Sequence, residues 1–460
     1  MLLPRRAAAF REGPEWFNGR NRESRRREAA GRRNYPEAVP KEKERRKIGE
    51  RVQFITSMRT ASDAGPMEEV RCVSKQAVLC SRYRARTGIR DAQLAPFPSF
   101  RRGRRDVVTV SIVVGGQYGS EGKGKVVALL ASRQSSPWLI RCGGPNSGHT
   151  VTIDGKQVIL RQVPSCATPE KATFCIAAGC VVDEELLIGE LDLLGIDSAQ
   201  IIVDPRAALV TDEDREVERR QLGGIGSTLS GTGAAAVRRI WRRGDVALVK
   251  DSKALRNRCR VETVAPLIHH VIDGGGNVIV EGTQGFGLSL LHGPDYPFVT
   301  SRDTTAAGFA MEVGLSPRQI AKIVMAIRTF PIRVGGQSGP LSEEISWEEV
   351  ASSSSAPQTI PEYTSVTKRL RRVGRFDLQA VKIACDYNRP TSLAVMGLDR
   401  IDHANLGVTE PARFSTKARK FLEDLEITTG VPVEFAGTGF GTFDAVHLPS
   451  HAFKIELSHA

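Results

Sequence analysis

Residues Val108–Ser132 read VTVSIVVGGQYGSEGKGKVVALLAS. The β-branched run from Val107 to Gly115 has the pattern of a strand buried on both faces of a parallel sheet. A glycine-rich turn follows, and VVALLAS then reads as a helix. Within that turn, Gly119–Lys125 satisfies the G-x-x-x-x-G-K core of a phosphate-binding loop. Glycines let backbone N–H groups turn toward an anion, a helix N-terminus adds a favourable dipole, and lysines bring positive charge. Gly119, Ser120, Glu121, Gly122, Lys123, Gly124 and Lys125 are therefore candidate triphosphate contacts. The competing reading is a tight strand–helix turn with no ligand, which the density of Gly and Lys in this context outweighs. Val126 stands where an ordinary loop of this kind has the Ser or Thr that holds magnesium.

Further apolar runs lie at 157–163, 172–179, 200–205, 277–282, 319–327 and 391–399, with helix-like segments at 184–195, around 252–272 and at 376–388. Strands alternating with helices predict an α/β fold: a mostly parallel central sheet with flanking helices and the phosphate loop after its first strand. The simplest organisation is one domain over residues 106–460.

Residues 1–105 differ in kind. They hold 27 Lys+Arg against 12 Asp+Glu, while the rest of the chain, with 38 basic and 40 acidic residues, is close to neutral. The net charge of +13 thus belongs to the extension alone. Such a segment cannot bury enough apolar surface to offset its ordering entropy, so the expectation is a disordered tail or upstream sequence from a wrong start site. A nucleic-acid-binding arm is the lesser reading. The eight cysteines form no C-x-x-C pair and read as incidental thiols. No run of about 18 apolar residues predicts a membrane span, and the N-terminus lacks the order of a secretory signal, so a cytoplasmic protein is expected, in the host cytoplasm if viral.

GGQYGSEGKGKVVALLA resembles the Q-W-G-D-E-G-K-G-K signature of adenylosuccinate synthetases. RCGGPNSGHTV (141–151), IGSTLSGTG (225–233), VEGTQGFGLSLLHGPDYPFVTSRDTTA (280–306), FPIRVGGQSGP (330–340) and TKRLRRVGRFD (367–377) continue the resemblance in order. It covers roughly residues 108–445. The family joins L-aspartate to C6 of a 6-oxopurine nucleotide with a nucleoside triphosphate and Mg²⁺, phosphorylating the 6-oxygen before the amine displaces it. The resemblance implies Lys123 and His149 as catalytic groups, together with whatever Ser120 contributes, and Gly148 with Ser120 at the metal. It implies purine monophosphate contacts at Ser120, Asn146, Ser147, Gly148, His149, Thr228, Gln284, Thr300 and Arg369. Arg242 matches an arginine that reaches the neighbouring subunit's nucleotide, which implies a homodimer; its alternative is a solvated helix charge. Ser365, Val366, Thr367, Lys368, Arg369, Leu370 and Arg371 correspond to the aspartate loop, with Arg371 also touching the triphosphate. Lys368 and Leu370 replace a glycine and an arginine common there. Gly397, Leu398 and Asp399, with Gly437, Thr438 and Gly439, match the donor-base contacts.

Two departures bear on substrate. Ser120 stands where the family has Asp, the proposed acceptor of the N1 proton, and serine carries no charge at neutral pH. A shorter side chain leaves room for a guanine 2-amino group. Serine here is also the feature shared by viral enzymes that act on dGMP to give N6-succino-2-amino-2′-deoxyadenylate on the route to diaminopurine DNA. Gly397 replaces the lysine that reads the guanine of GTP, which would admit ATP or dATP. Three readings stay open: a dGMP–aspartate ligase, a conventional synthetase using IMP and GTP, and an inactive nucleotide-binding homologue. Retention of Lys123, His149, Gln284, Arg369 and Arg371 weighs against the third.

Overall fold

The computed structural model describes residues 110–449, apart from residue 243 and residues 365–367. The expectations for residues 1–105, and those for Ser365, Val366 and Thr367, lie outside the described residues.

Ten strands form one sheet: β1 (Val110–Gly115), β2 (Trp138–Arg141), β3 (Thr173–Ile176), β4 (Ile201–Val203), β5 (Arg260–Val261), β6 (Val278–Glu281), β7 (Ile320–Arg328), β8 (Ser392–Met396), β9 (Val433–Gly437) and β10 (Ala445–His447). Their spatial order is β10-β9-β8-β7-β1-β6-β2-β3-β4-β5. Every neighbouring pair is parallel except β9 with β10 at one edge. All six residues of β1 are buried, as expected of a central strand covered on both faces. The α/β class read from the sequence is the one observed.

Two local readings are corrected. Residues 157–163 do not join the parallel sheet: Lys156–Leu160 pairs antiparallel with His149–Ile153 in a separate hairpin. Lys156, Gln157 and Ile159 are exposed, so this run has one covered face rather than two. The stretch around 252–272 is not one helix. It is Lys253–Arg258, then β5, then Val264–Asp273.

Helix α1 (Lys123–Ala131) begins at Gly122, whose φ of 86° is left-handed, with no side-chain cap. All nine of its residues are buried, lysines included. It packs on β1, β6 and the 149–160 hairpin. A Cβ on Gly124 would meet Ser165 Oγ at 2.7 Å and the His149 Cβ at 2.9 Å, so glycine permits this close approach. A small three-stranded sheet, ordered Ile332–Arg333, Arg372–Gly374, Glu344–Ile345, packs with Trp347 and Val350 into a satellite core. It fixes the chain on either side of residues 334–371. No helix among the described residues is long and apolar enough to cross a membrane.

Candidate active site

Parallel strands all present their carboxyl ends on one side, and the loops leaving those ends converge there. Two adjoining cavities open at that edge. The first takes residues from the loops after β1, β2 and β6, and from 333–338; the second takes the start of α1 and the loops after β7, β8 and β9. Five residues line both: Ser120, Lys123, Gly148, His149 and Arg371. A group passed between two bound molecules would cross that wall.

Ser120 holds a φ of 60°, uncommon for a non-glycine residue. Its neighbours fix it. Glu121, fully buried, accepts from the backbone N–H of Gln117 (3.2 Å) and Gly119 (2.7 Å) and pairs with Lys123 Nζ at 2.6 Å. Arg328 Nη1 donates to the Ser120 carbonyl at 3.2 Å and is itself held by both oxygens of Glu362. The Ser120 hydroxyl is exposed to the cavities and accepts from Arg371 Nη1 at 2.5 Å.

His149 Nδ1 meets the carboxylate of Glu281, which also takes Ser165 N and Oγ at 2.7 and 2.8 Å and Arg141 Nη1 at 2.8 Å. Arg141 Nη1, which only donates, lies 2.7 Å from the same nitrogen, so Nδ1 sits between an acceptor and a donor. Burial, reinforced by Arg141 and opposed by Glu281, pushes His149 down to about 4. Burial would raise Glu281, but Arg141 and His149 hold it at about 2. In the free protein near neutrality the ring is neutral. A bound phosphate dianion beside it would favour the imidazolium.

Lys125 points into the second cavity and donates to the carbonyls of Gly439 (3.0 Å) and Asp444 (2.7 Å). Burial lowers it to about 8, against the pull of Asp444 and Asp399. Burial raises the Asp399 carboxyl. The unpaired N–H groups at the start of α1 face the same space, an arrangement that suits an anion.

Of the expected monophosphate contacts, Asn146, Ser147, Thr228, Gln284, Thr300 and Arg369 line the first cavity together with the shared Ser120, Gly148 and His149. Arg242 lines neither cavity; it is exposed just beyond the helix Thr232–Ile240. Among the expected triphosphate contacts, Glu121, Gly122, Gly124, Lys125, Gly397, Asp399 and Gly439 line the second cavity with Ser120, Lys123 and Arg371. Gly119 faces the first cavity. Leu398, Gly437 and Thr438 line neither; Thr438 turns its hydroxyl to the Val408 carbonyl at 2.9 Å. Lys368 and Leu370 point to solvent.

The structure adds groups that sequence reasoning did not single out: Arg141 and Glu281 behind His149, Arg328 and Glu362 behind Ser120, and Arg333 with Tyr118. The Arg333 guanidinium lies 3.9 Å from the centre of the Tyr118 ring, and both line the first cavity. A charge closing an apolar strand, as in VIVE and WLIR, was the available signal for Glu281 and Arg141.

The adenylosuccinate synthetase family model matches residues 112–261 and 246–409. The adenylosuccinate synthetase of Methanocaldococcus jannaschii is 39% identical over 339 residues, spanning 72% of this chain and 95% of that protein. That of Pyrococcus horikoshii is 39% identical over 334 residues, 71% of this chain and 95% of that one. Among solved structures, fully ligated adenylosuccinate synthetase from Plasmodium falciparum shares the fold, with a TM-score of 0.66 at 18% identity, over 74% of this chain and all of that one. Succinoaminodeoxyadenylate synthetase (PurZ) of cyanophage S-2L, solved with dGMP and with dATP as energy donor, gives a TM-score of 0.62 at 27% identity, over 75% of this chain and 97% of that one. By these matches, this chain belongs to the adenylosuccinate synthetase family, ligases that form a C–N bond between aspartate and a purine nucleotide.

Proposed function

We propose that this protein joins L-aspartate to C6 of dGMP through a 6-phosphoryl intermediate, giving N6-succino-2-amino-2′-deoxyadenylate for diaminopurine DNA, with ATP or dATP as phosphoryl donor. The observation that carries this reading is Ser120 on the wall between the two cavities, bonded to Arg371 where the family has a carboxylate. A small neutral side chain leaves space and no negative charge beside a guanine 2-amino group. The dGMP and dATP of the cyanophage enzyme accord with it. Lys123 and the N-terminus of α1 would hold the transferring phosphoryl group, a mainly electrostatic task. His149, oriented by Glu281, would face the 6-oxygen. Arg369 and Arg371 would take the aspartate carboxylates.

Mg²⁺ would find the Gly148 carbonyl and the Ser120 hydroxyl as its protein oxygens. The wall's two nearby carboxylates, Glu121 and Glu281, are fully buried and taken by cations and N–H groups. Among the described residues no group of three or more His, Cys, Asp or Glu is placed to hold a metal. The set fits an ion held mainly by phosphates and water, which neutralises phosphate charge when bound.

A second reading, IMP with GTP, is favoured by the archaeal synthetases at 36–39% identity. Crossing dGMP, GMP, IMP and dIMP with ATP, dATP and GTP, in the presence of aspartate and Mg²⁺, decides between them through the succino-purine product. Turnover of IMP without dGMP sinks the proposal, and no turnover with any pair points to a nucleotide-binding homologue. For the basic extension, we propose that the enzyme is complete within 106–460, so a chain beginning at Val107 keeps full activity.

A further inference from the structure

We infer that Ser120, polarised by Arg371, is a hydrogen-bond donor to purine N1 once the 6-oxygen has been phosphorylated, and not the acceptor of the N1 proton. The inference rests on the proposed reaction only in needing a 6-oxopurine at the shared wall.

A hydroxyl has one proton to give and two lone pairs to receive. Arg371 Nη1 occupies a lone pair of Ser120 Oγ at 2.5 Å, and a guanidinium does not reverse that bond. Arg371 is itself fixed: its Nε donates to the Tyr363 carbonyl at 3.1 Å, and its backbone N–H to that of Glu362 at 2.9 Å. The serine proton therefore points away from the arginine, and accepting a charged bond makes it a better donor. Ser120 cannot swing to another arrangement cheaply, because its left-handed backbone is held through Arg328 and through the Glu121 cradle.

The reacting base changes polarity at this place. In the 6-oxopurine, N1 bears a hydrogen. When the 6-oxygen attacks the γ-phosphorus, the O–P bond forms, the bond to the β,γ-bridging oxygen breaks, and its electron pair leaves with the diphosphate. The ring becomes a 6-O-phosphoryl imine with a lone pair on N1, and the N1 proton passes to water. Toward the reactant's N1–H the hydroxyl offers only its second lone pair, whereas toward the product it donates a proton polarised by Arg371; an interaction stronger after the transfer than before it lowers the barrier. Glu121 offers no alternative, since it is 0% exposed and its oxygens are engaged by two N–H groups and Lys123.

The experiment compares binding of two ligands that differ at N1: dGMP, which donates there, and 2-amino-6-chloropurine 2′-deoxynucleoside monophosphate, which accepts. We expect Ser120→Ala to weaken the chloropurine about 10-fold and dGMP less than about 2-fold, as loss of one polarised donor implies. Arg371→Met should erase the same preference without abolishing dGMP binding. Equal losses for both ligands, a larger loss for dGMP, or no loss for the chloropurine overturn the inference. Running IMP beside 6-chloropurine ribonucleoside monophosphate separates the two ideas. If only that pair binds, the dGMP proposal fails while Ser120 is judged on the same ratio. Unchanged thermal midpoints of the variants exclude misfolding as the cause.

Discussion

Arg141 and Glu281 are register partners at the last residues of the parallel pair β2 and β6, and their side chains meet at 2.8 Å, both essentially without solvent contact. Two charges so placed are stable only together. They also set the orientation of His149, so a contact between strand ends far apart in sequence governs the reacting face of the site.

Glu281→Gln removes the negative charge and leaves Arg141 buried without its counter-ion. Loss of one partner of a buried pair costs about 3–5 kcal/mol, and the denaturant midpoint should fall accordingly. The kcat should fall too, because the His149 ring loses its charged partner. A midpoint within error of wild type would refute the pairing.

Acid stability should show two limbs. His149 is neutral in the folded state down to about 4, whereas the unfolded chain takes up that proton near 6.5, so stability falls as pH drops across that window. Glu281 stays ionised to about 2 against an unfolded value of 4.5, so its contribution is present above 4.5 and is lost as pH falls through 2. In thermal melts against pH, His149→Gln should remove the upper limb and keep the lower. A nitrogen-15 titration of the imidazole should also show it neutral at pH 7 alone and shifted toward the cation when the monophosphate and a non-hydrolysable donor are bound.

Lys125 supplies positive charge to the second cavity below about pH 8 and loses it above. The kcat/KM for the triphosphate should therefore decline through that range, since this ratio reports the free enzyme. In Lys125→Arg the decline should vanish. The kcat/KM for aspartate at saturating nucleotides should show no matching step.

Ser120→Asp would place a carboxylate beside Arg371 and the guanine 2-amino group. We expect dGMP turnover to drop about 10-fold or more, with IMP turnover falling less or rising. Unchanged dGMP kinetics would remove the argument from space and charge.

Arg242 lines neither cavity of its own chain; we propose that it serves the neighbouring subunit's site in a homodimer, as the family resemblance implies. Arg242→Leu and His149→Asn should each be nearly inactive alone, and mixing them should restore roughly a quarter of wild-type activity through hybrid dimers with one intact site. Absence of recovery after exchange of subunits would leave Arg242 as a solvated charge.

Local sequence carried what depends on contiguous residues. A strand buried on both faces, a turn dense in glycine and a following helix are written into Val108–Ser132, because alternation, chain flexibility and helix initiation are short-range properties. The same stretch fixed the family through GGQYGSEGKGK and exposed the departure at Ser120. It did not disclose the hairpin at 149–160, since a short apolar run looks alike whether it is covered on one face or two. Nor did it reveal what Ser120 touches. Arg371 is 251 positions away and Arg328 is 208 away, brought to it by the small three-stranded sheet and by the end of β7, placements that no local pattern specifies. Glu121 read as a phosphate contact; hydrogen bonds from Gln117, Gly119 and Lys123 made it a buried strut. Charge and hydrogen-bond polarity at the reacting atom are decided by partners within about 3 Å, and only the tertiary structure chooses those partners.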